Sequence, residues 1–190
     1  MYKKNDVVVY RRDVCRVSGK EKSDMTGEQC YVLEPYDKNE ANMKMLVPVS
    51  NKAGHLRDLI TPEEIKELIK NFDAVEPLED KPANMKSQYV AMLKGDSIED
   101  LIRIIKTSYM RNKARMDSHK KLAAIDGEYL EKAENYLFRE LGVSLGKSLE
   151  DSREYFIKEV QKHSQKKKAK SATKTVKKAS TKATTKIKKK

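Results

Sequence analysis

Tryptophan is missing from this chain, and only two cysteines, Cys15 and Cys30, occur in its 190 residues. Two isolated cysteines form neither a CxxC redox pair nor a metal-ligand cluster, and they read as thiols buried in strands of a protein from a reducing cytoplasm. Long apolar runs are missing as well. None approaches the roughly 18 residues that a bilayer span requires, and the opening MYKKNDVVVYRRD lacks the apolar core of a secretory signal. His55, His119 and His163 stand in unrelated contexts, without the Cys or carboxylate spacing of a metal site. No Ser or Cys sits in a nucleophile motif. The carboxylate pairs Glu63/Glu64 and Glu99/Asp100 fall in first helical turns, where they favour the helix dipole rather than acid–base chemistry. No catalytic residue, metal or cofactor is expected.

Acidic residues are missing from one region only. Thirteen of the 41 basic groups lie in residues 161–190, which hold no Asp or Glu; residues 1–160 keep 28 basic groups against 29 acidic ones, a net of −1. The whole net charge of +12 therefore belongs to the tail. KKKAKSATKTVKKASTKATTKIKKK, from Lys166 to Lys190, is a Lys/Ala/Thr/Ser polymer with too little apolar surface to offset chain entropy, so 164–190 is expected to be disordered. Its lysines, among them Lys166, Lys167, Lys168, Lys188, Lys189 and Lys190, suit sequence-blind phosphate contacts. The charge-balanced body does not follow from the same argument.

The body begins with strands. DVVVY, VCRVSGKE, QCYVLEP and MKMLVPV, spread over residues 6–49, are β-branched or alternating and are separated by turn chemistry. Their shortness and spacing suggest a small antiparallel barrel of SH3 or Tudor type. TPEEIKELIKNF then carries a capping box, with Thr61 as N-cap, Pro62 at N1 and Glu64 at N3, ahead of an apolar face. The Pro-containing acidic stretch 73–83 reads as a linker. Four amphipathic helices follow, capped by Asn84, Ser97, Asp126 and Ser148, with Gly95 and Gly142 as stops and Tyr109 on the inward stripe of the second. The expected architecture is α+β: residues 1–72 a Tudor-like unit, 84–163 an all-helical domain. GVSLGKS (Gly142–Ser148) is one residue short of a phosphate loop and follows a helix rather than a strand, so it reads as two helix boundaries back to back.

NDVVVY, TGEQCYVLEP, NMKMLVPVSN and LRDLITPEEIKELI, in that order and spacing, resemble the RNA polymerase-interacting domain of the CarD family of bacterial transcription regulators, a domain also found in transcription-repair coupling factors. The resemblance continues through PANMKSQYVAMLKGD to about Gly146; the chain is too short for a coupling factor's motor, so the stand-alone type is the better match. The resemblance implies a barrel that adds an edge strand to the polymerase β subunit, at positions matching Ser23, Asp24, Met25, Lys44 and Leu46. It also implies a helical domain that touches promoter DNA at the upstream edge of the melted bubble. The family's tryptophan wedge falls on Met85, beside Lys86; methionine can serve as an apolar wedge, or pack in its own core. Arg103, Lys106, Arg111, Lys113 and Arg115 along one helix are candidate phosphate contacts, or a solvated face. A monomeric, cytoplasmic, nucleoid-associated regulator that stabilises open complexes is the leading expectation. The alternatives are a nucleoid-type architectural protein bound through its tail, and an RNA adaptor using Tyr2, Tyr10, Tyr31 and Tyr36 as a cage.

Overall fold

The structure is a computed structural model that describes residues 1–37, 43–79 and 82–166. Residues 167–190, and with them most of the expected disordered tail, lie outside the described residues. Residues 164–166 do not belong to a tail: they complete the last helix.

Five strands form one antiparallel sheet: β1 (Val7–Tyr10), β2 (Asp13–Lys22), β3 (Gln29–Pro35), β4 (Met45–Pro48) and β5 (Leu56–Asp58). Their order is β4-β3-β2-β1-β5, which leaves β4 and β5 as edges, so the sheet is open where a closed barrel was expected. Alternation gathers Val8, Cys15, Val17, Tyr31, Leu33 and Val47 into one apolar cluster. A bulge between Val17 and Gly19 shifts the register of β2 against β3 and adds local twist. Cys15 and Cys30 are buried thiols in these strands and form no disulfide. β5 is three residues long and sits in LRD, too short for any alternation to announce it.

The helices are α1 (Pro62–Asn71), α2 (Met85–Lys94), α3 (Ile98–Asp117), α4 (Ala124–Leu145) and α5 (residues 149–166). Thr61 and Glu64 form the reciprocal capping box of α1. Ser148 Oγ accepts the Asp151 amide (3.0 Å) and caps α5. Asn84 and Ser97 make no side-chain cap bond. Asp126 is not a cap: α4 begins at Ala124, and Asp126 is buried inside its first turn. Gly142 does not end the helix either. α4 runs on to Leu145, and Gly146, at φ 63°, closes it in the left-handed conformation that glycine tolerates. Gly142 is there for close approach, because a Cβ would stand 3.0 Å from the Lys147 carbonyl oxygen.

Core contacts divide the chain differently from the expected boundary at residue 72. Ile60, Ile65 and Ile69, from α1 and its approach, pack with Tyr89, Ile102 and Leu137 of the helical body. Residues 73–79 are a strap rather than a tether. Val75 and Leu78 pack on the helical core, the Leu78 amide donates to Thr107 Oγ1 (2.8 Å), and Lys106 Nζ donates to the carbonyls of Phe72 and Val75 (2.7 Å each).

The sheet meets the helices through charge. Arg57 on β5 donates two bonds to Glu140 on α4 (2.6 and 2.8 Å), and Glu140 also accepts the Ile60 amide (3.2 Å). Burial pulls the Arg57 guanidinium down, but the Glu140 hydrogen bonds and charge more than offset it, leaving the group above its ordinary value. The two-residue β1–β2 turn carries Arg12, which is 5% exposed. Its guanidinium donates to the Met92 carbonyl (2.8 Å) at the C-terminal end of α2, where a cation complements the helix dipole, and to the carbonyl of Ser97 (2.8 Å), the residue before α3. His55 Nδ1 stands 3.2 Å from Asp96 Oδ2 at the same seam.

This packing has measurable consequences. Arg57→Met leaves Glu140 charged and buried, and it should cost about 3–5 kcal/mol in denaturant unfolding; Arg57→Met/Glu140→Leu should restore most of the loss. A second consequence concerns alkaline pH. The Tyr2 phenol is pushed up to about 12 by burial and then by its hydrogen bond to Asp58. Burial, with a smaller contribution from Asp126 and against a pull from Ser108, also raises Tyr89. Unfolded tyrosine titrates near 10, so over about pH 10–12 the folded chain keeps protons that the unfolded chain has lost. Stability should be fully present below pH 10 and decline through that window, and Tyr2→Phe should flatten part of the decline in urea midpoints measured across it.

Candidate functional site

β4 is an edge strand, and its register says which of its groups face outward. Val49 donates to the Gln29 carbonyl (2.9 Å), Val47 pairs with Tyr31, and Met45 with Leu33. Alternation therefore turns the main-chain groups of residues 45, 47 and 49 towards β3 and those of residues 44 and 46 outward. Pro48 has no N–H, and its carbonyl accepts from Asn51 (3.0 Å). Leu46 is the β4 residue that presents both a donor and an acceptor to the outer edge. Side chains divide in the same way: Val47 is buried, whereas Leu46 is 45% exposed and Lys44 lies on the surface 4.0 Å from Glu34.

At the far end of β3 the β2–β3 hairpin closes on Ser23, whose carbonyl accepts from Gly27 (2.7 Å) and whose hydroxyl accepts from Thr26 (3.3 Å). This turn holds Asp24 and Met25 out in solvent; Met25 is 97% exposed. Of the residues expected to meet a partner, Asp24, Met25, Lys44 and Leu46 are on the surface, and Ser23 shapes the turn.

The residues expected to meet DNA fare differently. Met85 is 1% exposed and packs in the helical core, so its side chain is filler and not a wedge. Arg111 is buried against Asp126, with its Nε 3.0 and 3.1 Å from the two carboxylate oxygens. The Tyr89 hydroxyl completes this network by donating to Asp126 (2.9 Å) while accepting from Ser108 (3.2 Å). Lys106 is held by the strap carbonyls, and burial lowers its ammonium below the usual lysine range. Arg103 donates to Glu76 and Asp100, and Arg115 to the Lys121 carbonyl (2.7 Å). A buried cation needs partners, and in this fold the helix's own neighbours supply them.

Lys86 and Lys113 remain exposed. They are joined by two lysines that the sequence did not single out, Lys120 and Lys121 of the α3–α4 turn. Tyr89, one turn beyond Lys86 on α2, and Arg111 of α3 both bond Asp126 at the start of α4, so these cations share one end of the helical body. Tyr109, expected to face inward, is 66% exposed at that end, with Met110, Met116 and Leu122 also outside. The α3 apolar stripe drifts off the core beyond Ser108, and that change of partner leaves no mark in its 3.6-residue period.

The tyrosines of the sheet do not form one cage. Tyr2 packs edge-on to Tyr31 (5.5 Å), Lys20 already covers Tyr31 (5.0 Å), and Arg16 covers Tyr36 (5.3 Å). Among the described residues, no three His, Cys, Asp or Glu side chains cluster as a metal site, and no helix is long and apolar enough to cross a membrane. No protein-family model matches the chain, and no curated protein matches it closely enough to be a relative.

If the basic end of the helical body meets nucleic acid, Lys113→Ser/Lys120→Ser/Lys121→Ser should weaken binding to a random duplex. The dependence of log K on log salt should flatten by about one unit for each phosphate no longer neutralised, at an unchanged melting temperature. Arg111→Ser should do the reverse: it should lower the melting temperature by stranding Asp126 and leave the salt slope alone.

Proposed function

We propose that this chain is a non-catalytic transcription regulator. It docks on the RNA polymerase β subunit by strand addition at β4 and stabilises promoter open complexes through contacts of the helical body with DNA near the upstream edge of the bubble. The observation that carries the proposal is the outer edge of β4, where Leu46 offers a backbone donor, a backbone acceptor and an exposed apolar side chain. Strand addition uses main-chain bonds for affinity and alternate side chains for choice of partner. Further support comes from the order of sequence blocks that resemble the CarD family. DNA contact is assigned to Lys86, Lys113, Lys120 and Lys121 rather than to Met85, and this gives phosphate attraction without a wedge. A body with so few surface cations at that end also favours a second reading, a nucleoid-type architectural protein held on DNA by its Lys-rich tail.

The two readings part on one measurement. In calorimetric titration, full-length protein should bind the isolated polymerase β lobe saturably. Leu46→Pro deletes the outward N–H without touching the bonds to β3, and it should weaken that binding at least tenfold, which is about 1.4 kcal/mol. Binding that is absent, or indifferent to Leu46→Pro, would overturn the docking proposal and put the architectural reading first.

A further inference from the structure

The acidic residues of the body are not spread evenly. A groove of about 720 Å³ runs between α1, the β5–α1 connection and the start of α3. Six carboxylates line it, those of Asp58, Glu63, Glu64, Glu67, Asp96 and Glu99, and the one basic residue among the described residues of its lining, Arg57, is committed to Glu140. Lys66 and Lys70 pair with Glu63 and Glu67 at i,i+3 spacing, but those pairs are exposed and therefore weak. Asp96 adds a carboxylate whose Oδ1 is buried with no hydrogen-bond partner among the described residues and whose Oδ2 faces His55.

The path of the chain brings a polycation to this groove. α5 ends beside it: Ser164 Oγ stands 3.2 Å from both carboxylate oxygens of Asp73, which lies between the groove-lining residues Asn71 and Val75. From there residues 167–190 continue for 24 positions with eleven lysines and no acidic residue. A chain of 24 residues can reach at most about 80 Å from its point of attachment, enough to return along the groove. Because these lysines belong to the same chain, they meet a neighbouring surface at an effective concentration on the order of millimolar.

We propose that the Lys-rich segment 167–190 docks back into the acidic groove of its own chain and that nucleic-acid phosphates compete with the groove for it. Each lysine–carboxylate contact is individually weak and screened by salt. The bound segment is therefore loosely held and exchanges to the denser charge of a duplex, one negative charge per roughly 1.7 Å of helix axis. The groove acts as an internal stand-in for phosphate. It lowers the tail's affinity for stray polyanion while leaving the tail available at a site where the body is already held. The contact is independent of which polymerase surface, if any, the sheet engages.

Zero-length carbodiimide cross-linking of the full chain tests this without polymerase or DNA. An equal mixture of light and 15N-labelled protein separates links within a chain from links between chains. The expected result is tail lysines joined within one chain to Glu63, Glu67, Glu99 or Asp58, several-fold more often than to the exposed Glu131 and Glu150, with the excess abolished in molar salt and on adding a random duplex. Links spread evenly over all carboxylates, or links mainly between chains, would overturn the proposal. A second measurement uses Glu63→Gln/Glu67→Gln/Glu99→Gln, exposed positions outside the core. Its affinity for a random 20-base-pair duplex should rise several-fold at moderate salt if groove and phosphate compete. An unchanged affinity would overturn the competition.

Discussion

Two arginines hold this molecule together as one object. Arg57 reaches from the last strand to Glu140, and Arg12 reaches from the first hairpin to carbonyls at the end of α2 and the start of α3. Arg12 is buried and Arg57 half-buried, and charge placed so far from water needs partners from its neighbours. Glu140 meets that demand by accepting from the guanidinium and from the Ile60 amide. The seam is therefore specified as well as attractive, since a small displacement of the sheet would strand a buried carboxylate. The 73–79 strap adds a second restraint, because Lys106 and Thr107 pin it to α3. Sheet and helices are thus neighbours through packing and buried charge as well as through sequence.

That rigidity bears on how the proposed docking would act. A ligand shifts an equilibrium only by its difference in affinity for the two states. A floppy pair of modules, one on polymerase and one near DNA, would bind closed and melted promoters almost alike. A sheet fixed to a helical body holds its basic end at one place relative to the β4 edge. In the proposed function, Lys86, Lys113, Lys120 and Lys121, all exposed, would then favour whichever DNA path passes that place. The same residues on a tether would give proximity without preference.

Much of the fold was legible in the sequence where the signal is local. The apolar run CYVL in QCYVLEP marks β3, and TPEE marks the start of α1, because a buried strand or a capping box is written within a few residues. What failed to show was non-local. Asp126 has the chemistry of an N-cap and sits near a helix start, yet its partner, Arg111, lies 15 residues away, and burial with that partner outweighs capping. Arg57 and Glu140 are 83 residues apart, and no spacing rule links them. The same limit governs the candidate site. Lys44 and Leu46 were readable as the outer face of a strand, since period-two alternation needs no knowledge of the rest. Arg103, Lys106, Arg111 and Arg115 look on paper like a basic helix face, because sequence shows the cations and hides the carbonyls and carboxylates that occupy them.

Charge in this protein is therefore poorly described by its sum. The body's net of −1 conceals a cationic end, an acidic groove and several buried pairs that cancel one another. Pairs such as Arg111–Asp126 contribute nothing to a distant phosphate, because a buried ion pair presents almost no field beyond its own length. Exposed groups act over about 8 Å at physiological salt, less than the width of the domain. Groove and basic end consequently behave as separate electrostatic surfaces and do not average. α5 ends beside the groove, with Ser164 against Asp73. Which charged surface lies nearest that end is set by the fold, a property that net charge does not contain.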